Sequence, residues 1–167
     1  MRALVPLLVA ALVPASALAQ GAAEPGCANV RAALPAELSG WSEQTPVSAG
    51  IKAGQGATVE LGKAALVSLH PAKHLEFTAS TNAAEANGGT LALAIVKAGT
   101  YRVALGDAAA VDLVRDGKAV AAKGRAAGPR CSGIRRIVEF TLAPGNYTVQ
   151  LSGAAADSVA LLIARAG

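Results

Sequence analysis

Short apolar runs alternate with Gly, Pro, Asn and Asp along the chain from Ala57 onward. Runs of four to eight residues bounded by such turn-forming residues are typical of β-strands rather than helices. Within a run, apolar residues recur at every second position, as Val59 and Leu61 do, so each run presents one face to a core. This pattern predicts an all-β protein, an antiparallel and jelly-roll-like β-sandwich spanning residues 57–167.

An internal repeat organises the C-terminal half. The segment GTYRVAL at residues 99–105 returns as GNYTVQL at residues 145–151. In both copies Tyr, Val and Leu are spaced two apart and would fill one face of a sheet, while the leading Gly permits a tight turn. Each copy is preceded and followed by another apolar run, so the repeat predicts strand, turn, strand, loop, strand twice. Two packed sheets are the expected result.

Residues 20–56 show no sustained periodicity and are predicted to form an irregular N-terminal arm that packs on the sandwich. Within this arm Trp41 is either an exposed ligand contact or a lid over the core. The lid is favoured, because a chain with five aromatic residues needs its one indole for packing. Residues 79–89, ASTNAAEANGG, are polar and small and predict a mobile loop.

These segments resemble known families. AGTYRV at residues 98–103 and PGNYTVQLSG at residues 144–153 look like the closing strands of secreted bacterial β-sandwich accessory modules, of the pre-peptidase C-terminal and jelly-roll carbohydrate-binding types. A wider set also resembles short exported bacterial proteins sometimes labelled homogentisate 1,2-dioxygenase: Gly40-Trp41, Pro46-Val47, residues 98–106, Cys131, residues 134–136 and residues 151–153. That label would imply iron held by two histidines and a carboxylate.

The first twenty residues, MRALVPLLVAALVPASALAQ, are typical of an export signal. Arg2 is followed by an apolar stretch and by Ala17-Leu18-Ala19, so we predict a signal peptide at residues 1–19 and cleavage before Gln20. An uncleaved anchor is the competing interpretation, but prolines interrupt a helix already short for a bilayer. The 148 remaining residues suit one domain, periplasmic or secreted, with no later transmembrane segment.

Only two cysteines occur, Cys27 and Cys131. In an oxidising compartment such a pair predicts one structural disulfide. A reactive or metal-binding thiol pair is the alternative, but it lacks the short C-x-x-C spacing of such sites.

Positive charge is concentrated between Arg115 and Arg136, an interval that contains seven cationic residues and one acidic residue, Asp116. A solvated loop is the favoured explanation of this asymmetry, and an anion-binding surface for an envelope component or polysaccharide is the alternative. The scarcity of aromatic residues argues against a platform of exposed rings, which weakens both carbohydrate binding through such rings and the binding of single-stranded nucleic acid. The candidate anion-binding residues are Lys118, Lys123, Arg125, Arg130, Arg135 and Arg136.

No catalytic constellation emerges from the sequence. The two histidines, His70 and His74, could form a metal site with Glu76, but four residues of extended strand span about 13 Å, unless Pro71 turns the chain. No G-x-S-x-G or nucleotide-binding motif is present, and no cofactor is predicted. We therefore expect an exported, non-catalytic binding or envelope-associated module. The alternative is a small metal-dependent dioxygenase, as the family label implies.

Overall fold

A computed structural model describes residues 26–27, 30, 32–79 and 86–167. The predicted signal peptide lies outside the described residues. In chain order the strands are β1 Gln44–Ser48, β2 Thr58–Val59, β3 Ala64–Ser68, β4 His70–Pro71, β5 Asn87–Ile95, β6 Gly99–Leu105, β7 Ala110–Arg115, β8 Lys118–Ala119, β9 Ala122–Ala126, β10 Arg136–Leu142, β11 Gly145–Ala154 and β12 Ser158–Arg165. Two short 3-10 helices accompany them, η1 at Ala36–Ser42 and η2 at Ala72–His74.

The strands form two packed sheets, which confirms the predicted β-sandwich. The first sheet has the order β1-β3-β12-β6-β10-β9, and the second has the order β2-β5-β11-β7-β8, with β4 also paired to β5. Both sheets are mixed rather than purely antiparallel, because β1 runs parallel to β3 and β2 runs parallel to β5.

The two repeats exchange strands between the sheets. Strand β6 of the first copy lies between β10 and β12 of the second, and β11 of the second copy lies between β5 and β7 of the first. The registers correspond, since Tyr101 is opposite Phe140 and Tyr147 is opposite Leu93. The short connections before Gly99 and Gly145 therefore cross from one sheet to the other instead of closing hairpins. This exchange locks the two halves into one core.

The main core lies between the sheets and is built from the repeated pattern. Tyr101, Val103 and Leu105 on β6 are at most 2% exposed, and their counterparts Tyr147, Val149 and Leu151 on β11 are at most 5% exposed. All six belong to one continuous apolar cluster. The prediction that these positions fill one sheet face is confirmed.

A second, smaller cluster covers the outer face of the first sheet. Leu38 and Trp41 of η1 pack there against residues such as Ala104 and Leu162 of the sheet. Trp41 is 5% exposed, so its predicted role as a lid is confirmed, although it covers this outer cluster and not the central core. As predicted, a disulfide joins Cys27 to Cys131 with a Cα–Cα distance of 5.2 Å.

Two segments differ from the sequence prediction. Residues 44–48, inside the interval predicted as an irregular arm, form the edge strand β1 of the first sheet. Asn87–Gly89, predicted as part of a loop, begin strand β5, while residues 80–85 lie outside the described residues. The glycines serve close packing here, because a Cβ on Gly88 would approach the backbone oxygen of Leu151 to 2.3 Å. A glycine-rich sequence is therefore compatible with a strand at this position.

Candidate anion-binding edge

The predicted basic residues follow one edge of the sandwich. Lys118 begins the two-residue strand β8 at the end of the second sheet. Lys123 and Arg125 are on β9, the terminal strand of the first sheet, and Arg130 and Arg135 are in the loop that connects β9 to β10. All five side chains belong to exposed residues. We call this set, Lys118, Lys123, Arg125, Arg130 and Arg135, the basic edge.

The composition of β9 explains why it ends the sheet. Its sequence AKGRA pairs only with β10, and the register shifts between Glu139 and Phe140. A terminal strand with cationic side chains and an irregular register is poorly suited to continue a sheet. The cations are consequently carried on a backbone edge that is open to solvent.

Arg136 differs from the other predicted residues. It is half-buried at the start of β10, and its Nη1 donates a hydrogen bond of 2.8 Å to the backbone oxygen of Ala109. This bond ties β10 to the turn before β7. Arg136 therefore has a role within the fold.

The basic edge is not neutralised internally. Within the described ranges, ion pairs join Lys63 to Glu60, Arg102 to both Glu37 and Glu139, and Arg115 to Asp116, and none involves a residue of the basic edge. Arg125 of the basic edge interacts electrostatically with the carboxylate of Asp112. Burial raises the pKa of the Asp112 carboxyl, and the charge of Arg125 partly offsets that rise.

The five cations form a row and not a compact cluster. Ala122 at the start of β9 is opposite Phe140, and Ala126 at its end is opposite Ile137. Five strand residues extend over about 13 Å, so Lys123 and the loop residues Arg130 and Arg135 are toward different ends of the edge. Such a row can contact an extended anionic chain at several points.

Sequence reasoning missed two further cations, Arg102 and Arg165. Nε of Arg102 donates a hydrogen bond of 2.8 Å to Oε1 of Glu139, and Nη1 of Arg102 donates another to Glu37 on η1. Both Arg102 and Arg165 line one cavity together with Lys123. The alternation in TYRVAL could have placed Arg102 on the outer face of its strand, but only the sheet order brings Lys123 to the same cavity.

The metal-site candidates do not converge. Nε2 of His70 is 3.0 Å from the backbone oxygen of Ala49, to which it donates, whereas His74 and Glu76 belong to exposed residues. Among the residues that the structure describes, no three His, Cys, Asp or Glu side chains are grouped so as to hold a metal ion. The geometry of these residues thus adds no support to the dioxygenase interpretation, which stays a hypothesis.

Asp107 has a structural contact of its own. Its carboxylate accepts from the backbone N–H of Ala108 and from that of Ala155 at 3.3 Å. The side chain therefore joins the turn after β6 to the turn after β11. The side chain of Asp107 therefore stabilises these two turns.

Comparison with known proteins does not assign the chain to a group. No model of a known protein family matches it, and no curated protein is significantly similar to it. In the part of the chain that the structure describes, no helix has the length and apolar character needed to cross a membrane.

Proposed function

We propose that this chain is an exported, non-catalytic binding protein that holds an anionic polymer of the cell envelope, such as an acidic polysaccharide, along its basic edge. One observation carries the proposal. Lys118, Lys123, Arg125, Arg130 and Arg135 are exposed in a row and form no ion pair within the described residues. Unneutralised cations in a row attract extended polyanions and raise their local concentration.

The distribution of aromatic residues favours a polysaccharide over single-stranded nucleic acid. Four of the five aromatic residues, Trp41, Tyr101, Phe140 and Tyr147, are each at most 5% exposed, so their rings are used for packing. The fifth, Phe77, is half-buried. Proteins that bind single strands without sequence preference stack the bases on accessible rings. An acidic polysaccharide needs charge contacts and does not need such stacking.

The free edges of the first sheet favour binding through side chains over pairing with another chain. Pro46 on β1 has no backbone N–H to donate to another strand, and β9 carries the cations Lys123 and Arg125. Prolines and charges on terminal strands are features that oppose edge-to-edge association. A purely structural role through strand addition is therefore the weaker hypothesis.

Export is part of the proposal and rests on the predicted signal peptide at residues 1–19. The disulfide between Cys27 and Cys131 supports it, because disulfides persist in oxidising compartments. Mass spectrometry of the protein recovered from an exporting host should find a chain that begins at Gln20.

The binding proposal is tested by retention on polygalacturonate beads at low ionic strength. The double variant Arg130→Glu, Arg135→Glu should elute at markedly lower salt than the original protein, because it reverses two exposed cations of the row. The matched control is Lys52→Glu, Lys73→Glu, which makes the same charge change at exposed residues elsewhere. Equal elution of the two double variants would overturn the proposal, since only net charge would then matter.

A further inference from the structure

A cleft lies on the outer face of the first sheet between η1 and β9. It consists of two adjoining cavities of about 310 and 550 Å³, and Arg102 and Glu139 line both. Small-molecule sites commonly have volumes of about 300–1,000 Å³. Lys123 and Arg125 of the basic edge line the cleft on one side, so the two surfaces share these residues.

The smaller cavity has apolar walls. Pro35 and Leu38 of the η1 region form one side, and Ile137 of β10 contributes to the floor. Gly124 of β9 lies on the opposite side. A Cβ on Gly124 would have its nearest neighbour, Oε2 of Glu139, at 3.9 Å, so it would fit in ordinary van der Waals contact.

Arg102 is held in place at the junction of the two cavities. Its Nε donates a hydrogen bond to Glu139 and its Nη1 donates one to Glu37, and 33% of its side-chain surface is exposed to solvent. Nη2 has no hydrogen-bond partner among the described residues. Because two carboxylates already fix this guanidinium, it loses little conformational entropy when the N–H groups of Nη2 bind a ligand.

The larger cavity is polar and rich in cations. Lys123 and Arg165 line it with Arg102, Glu139, Thr100, Ala166 and Gly167. Arg102 is already paired with Glu139 and Glu37, so Lys123 and Arg165 are the two lining cations that form no ion pair within the described residues. Nη2 of Arg165 donates a hydrogen bond of 3.3 Å to the backbone oxygen of Ala98. An apolar cavity therefore adjoins a cation-rich cavity, and the two meet at Arg102.

We propose that this cleft binds a small organic carboxylate with an apolar body, which contacts Pro35 and Ile137 while Arg102 and Lys123 hold the carboxylate. This site differs from the basic edge in ligand class. A polyanion binds through a row of cations. A small amphiphilic anion binds through an apolar surface and a cation that lie at a fixed distance from each other. The complementarity of the cleft to such an amphiphilic anion is the basis of the proposal.

The test is an NMR titration with benzoate and with benzamide as the uncharged counterpart. Benzoate should shift backbone signals of β9 and η1 in the full mature protein, and benzamide should bind at least about tenfold more weakly, because it lacks the charge-assisted contacts. Equal affinity of the two probes, or no shifts in these elements at saturating benzoate, would overturn the proposal.

Variants locate the site. Gly124→Leu should abolish benzoate binding by filling the apolar cavity, and Gly124→Ala should weaken it only slightly because its Cβ fits. Lys123→Gln should weaken binding several-fold, while Lys118→Gln, which removes the same charge outside the cleft, should not. Unchanged binding in both Gly124→Leu and Lys123→Gln would contradict the assignment.

The two proposals can fail separately. Arg130→Glu, Arg135→Glu should lose retention on polygalacturonate and keep benzoate binding. Gly124→Leu should show the opposite result. Should Gly124→Leu fold poorly, as judged by its amide spectrum, Lys123→Gln against Lys118→Gln still decides whether the cleft holds the carboxylate.

Discussion

Tyr101 and Tyr147 make the same hydrogen bond in opposite sheets. The hydroxyl of Tyr101 donates 2.7 Å to the backbone oxygen of Lys97, and that of Tyr147 donates 2.8 Å to the backbone oxygen of Ala143, in each case four residues earlier in the chain. Both rings are buried in the central core. Each tyrosine thereby fixes the connection by which the chain crosses from one sheet to the other.

We expect Tyr101→Phe and Tyr147→Phe each to lower the free energy of unfolding by about 0.5–1.5 kcal/mol, because each loses the hydrogen bond to the backbone and keeps its ring packing. Tyr147→Phe also loses a long hydrogen bond of 3.4 Å that the hydroxyl accepts from Nη1 of Arg115. Urea unfolding measures the change. The effects should add in the double variant, since the two bonds are on separate connections. Strong non-additivity would show that the two crossings are coupled.

The glycines before these tyrosines are expected to differ in their tolerance of substitution. Gly145 has a φ of 148°, which L-residues rarely adopt, and a Cβ there would lie 3.1 Å from Cζ of Arg115. Gly145→Ala should therefore destabilise the protein by about 1–3 kcal/mol. Thermal unfolding of this variant tests the value.

Gly99→Ala is the matched control for that substitution. A Cβ on Gly99 would meet Nε of Arg165 at 2.7 Å, but this side chain is flexible and the backbone of Gly99 is not in the positive-φ region. We expect a smaller loss of stability than for Gly145→Ala. A larger loss would mean that the arginine contact, and not backbone conformation, dominates at these glycines.

The disulfide should contribute strongly to stability because it closes a long segment. Cys27 and Cys131 are 104 residues apart, and cross-linking such a loop restricts the unfolded chain by about 4–5 kcal/mol in the chain-entropy model. The variant Cys27→Ser, Cys131→Ser should unfold at a lower urea concentration than the oxidised protein. Reduction of the original protein should produce the same shift, which separates loss of the bond from effects of the serines.

Asp112 should make stability depend on pH. Burial raises the pKa of its carboxyl, with partial compensation by Arg125, so ionisation favours the unfolded chain. This cost is absent below the unfolded pKa and is complete above the folded pKa. Asp112→Asn should therefore raise the unfolding temperature at neutral pH and leave it nearly unchanged at about pH 3.

Asp116→Asn is the control for that experiment, because it removes the same charge at an exposed turn residue. It should change stability by less than about 0.5 kcal/mol. Destabilisation by Asp112→Asn at neutral pH would contradict the expectation, since it would mean that the ionised carboxylate has a favourable partner in the fold.

Local pattern was sufficient for much of this fold. The alternation of Tyr101, Val103 and Leu105, repeated at Tyr147, predicted two strands with buried faces, and the structure confirms both. Pattern also predicted the disulfide, because two cysteines in a chain that is predicted to be exported have one possible partner each. These features depend on residue type and spacing along the chain, which the sequence states directly.

Tertiary structure decided what depends on strand order. The exchange of strands between repeats, the parallel edge strands β1 and β2, and the inclusion of Asn87–Gly89 in β5 follow from pairings between distant segments. The cleft is of the same kind, since Arg102, Lys123 and Leu38 come from three separate elements. Side-chain periodicity specifies which face of a strand is buried, but it does not specify which strand lies next to it. The neighbouring strand is selected by the packing of the whole core.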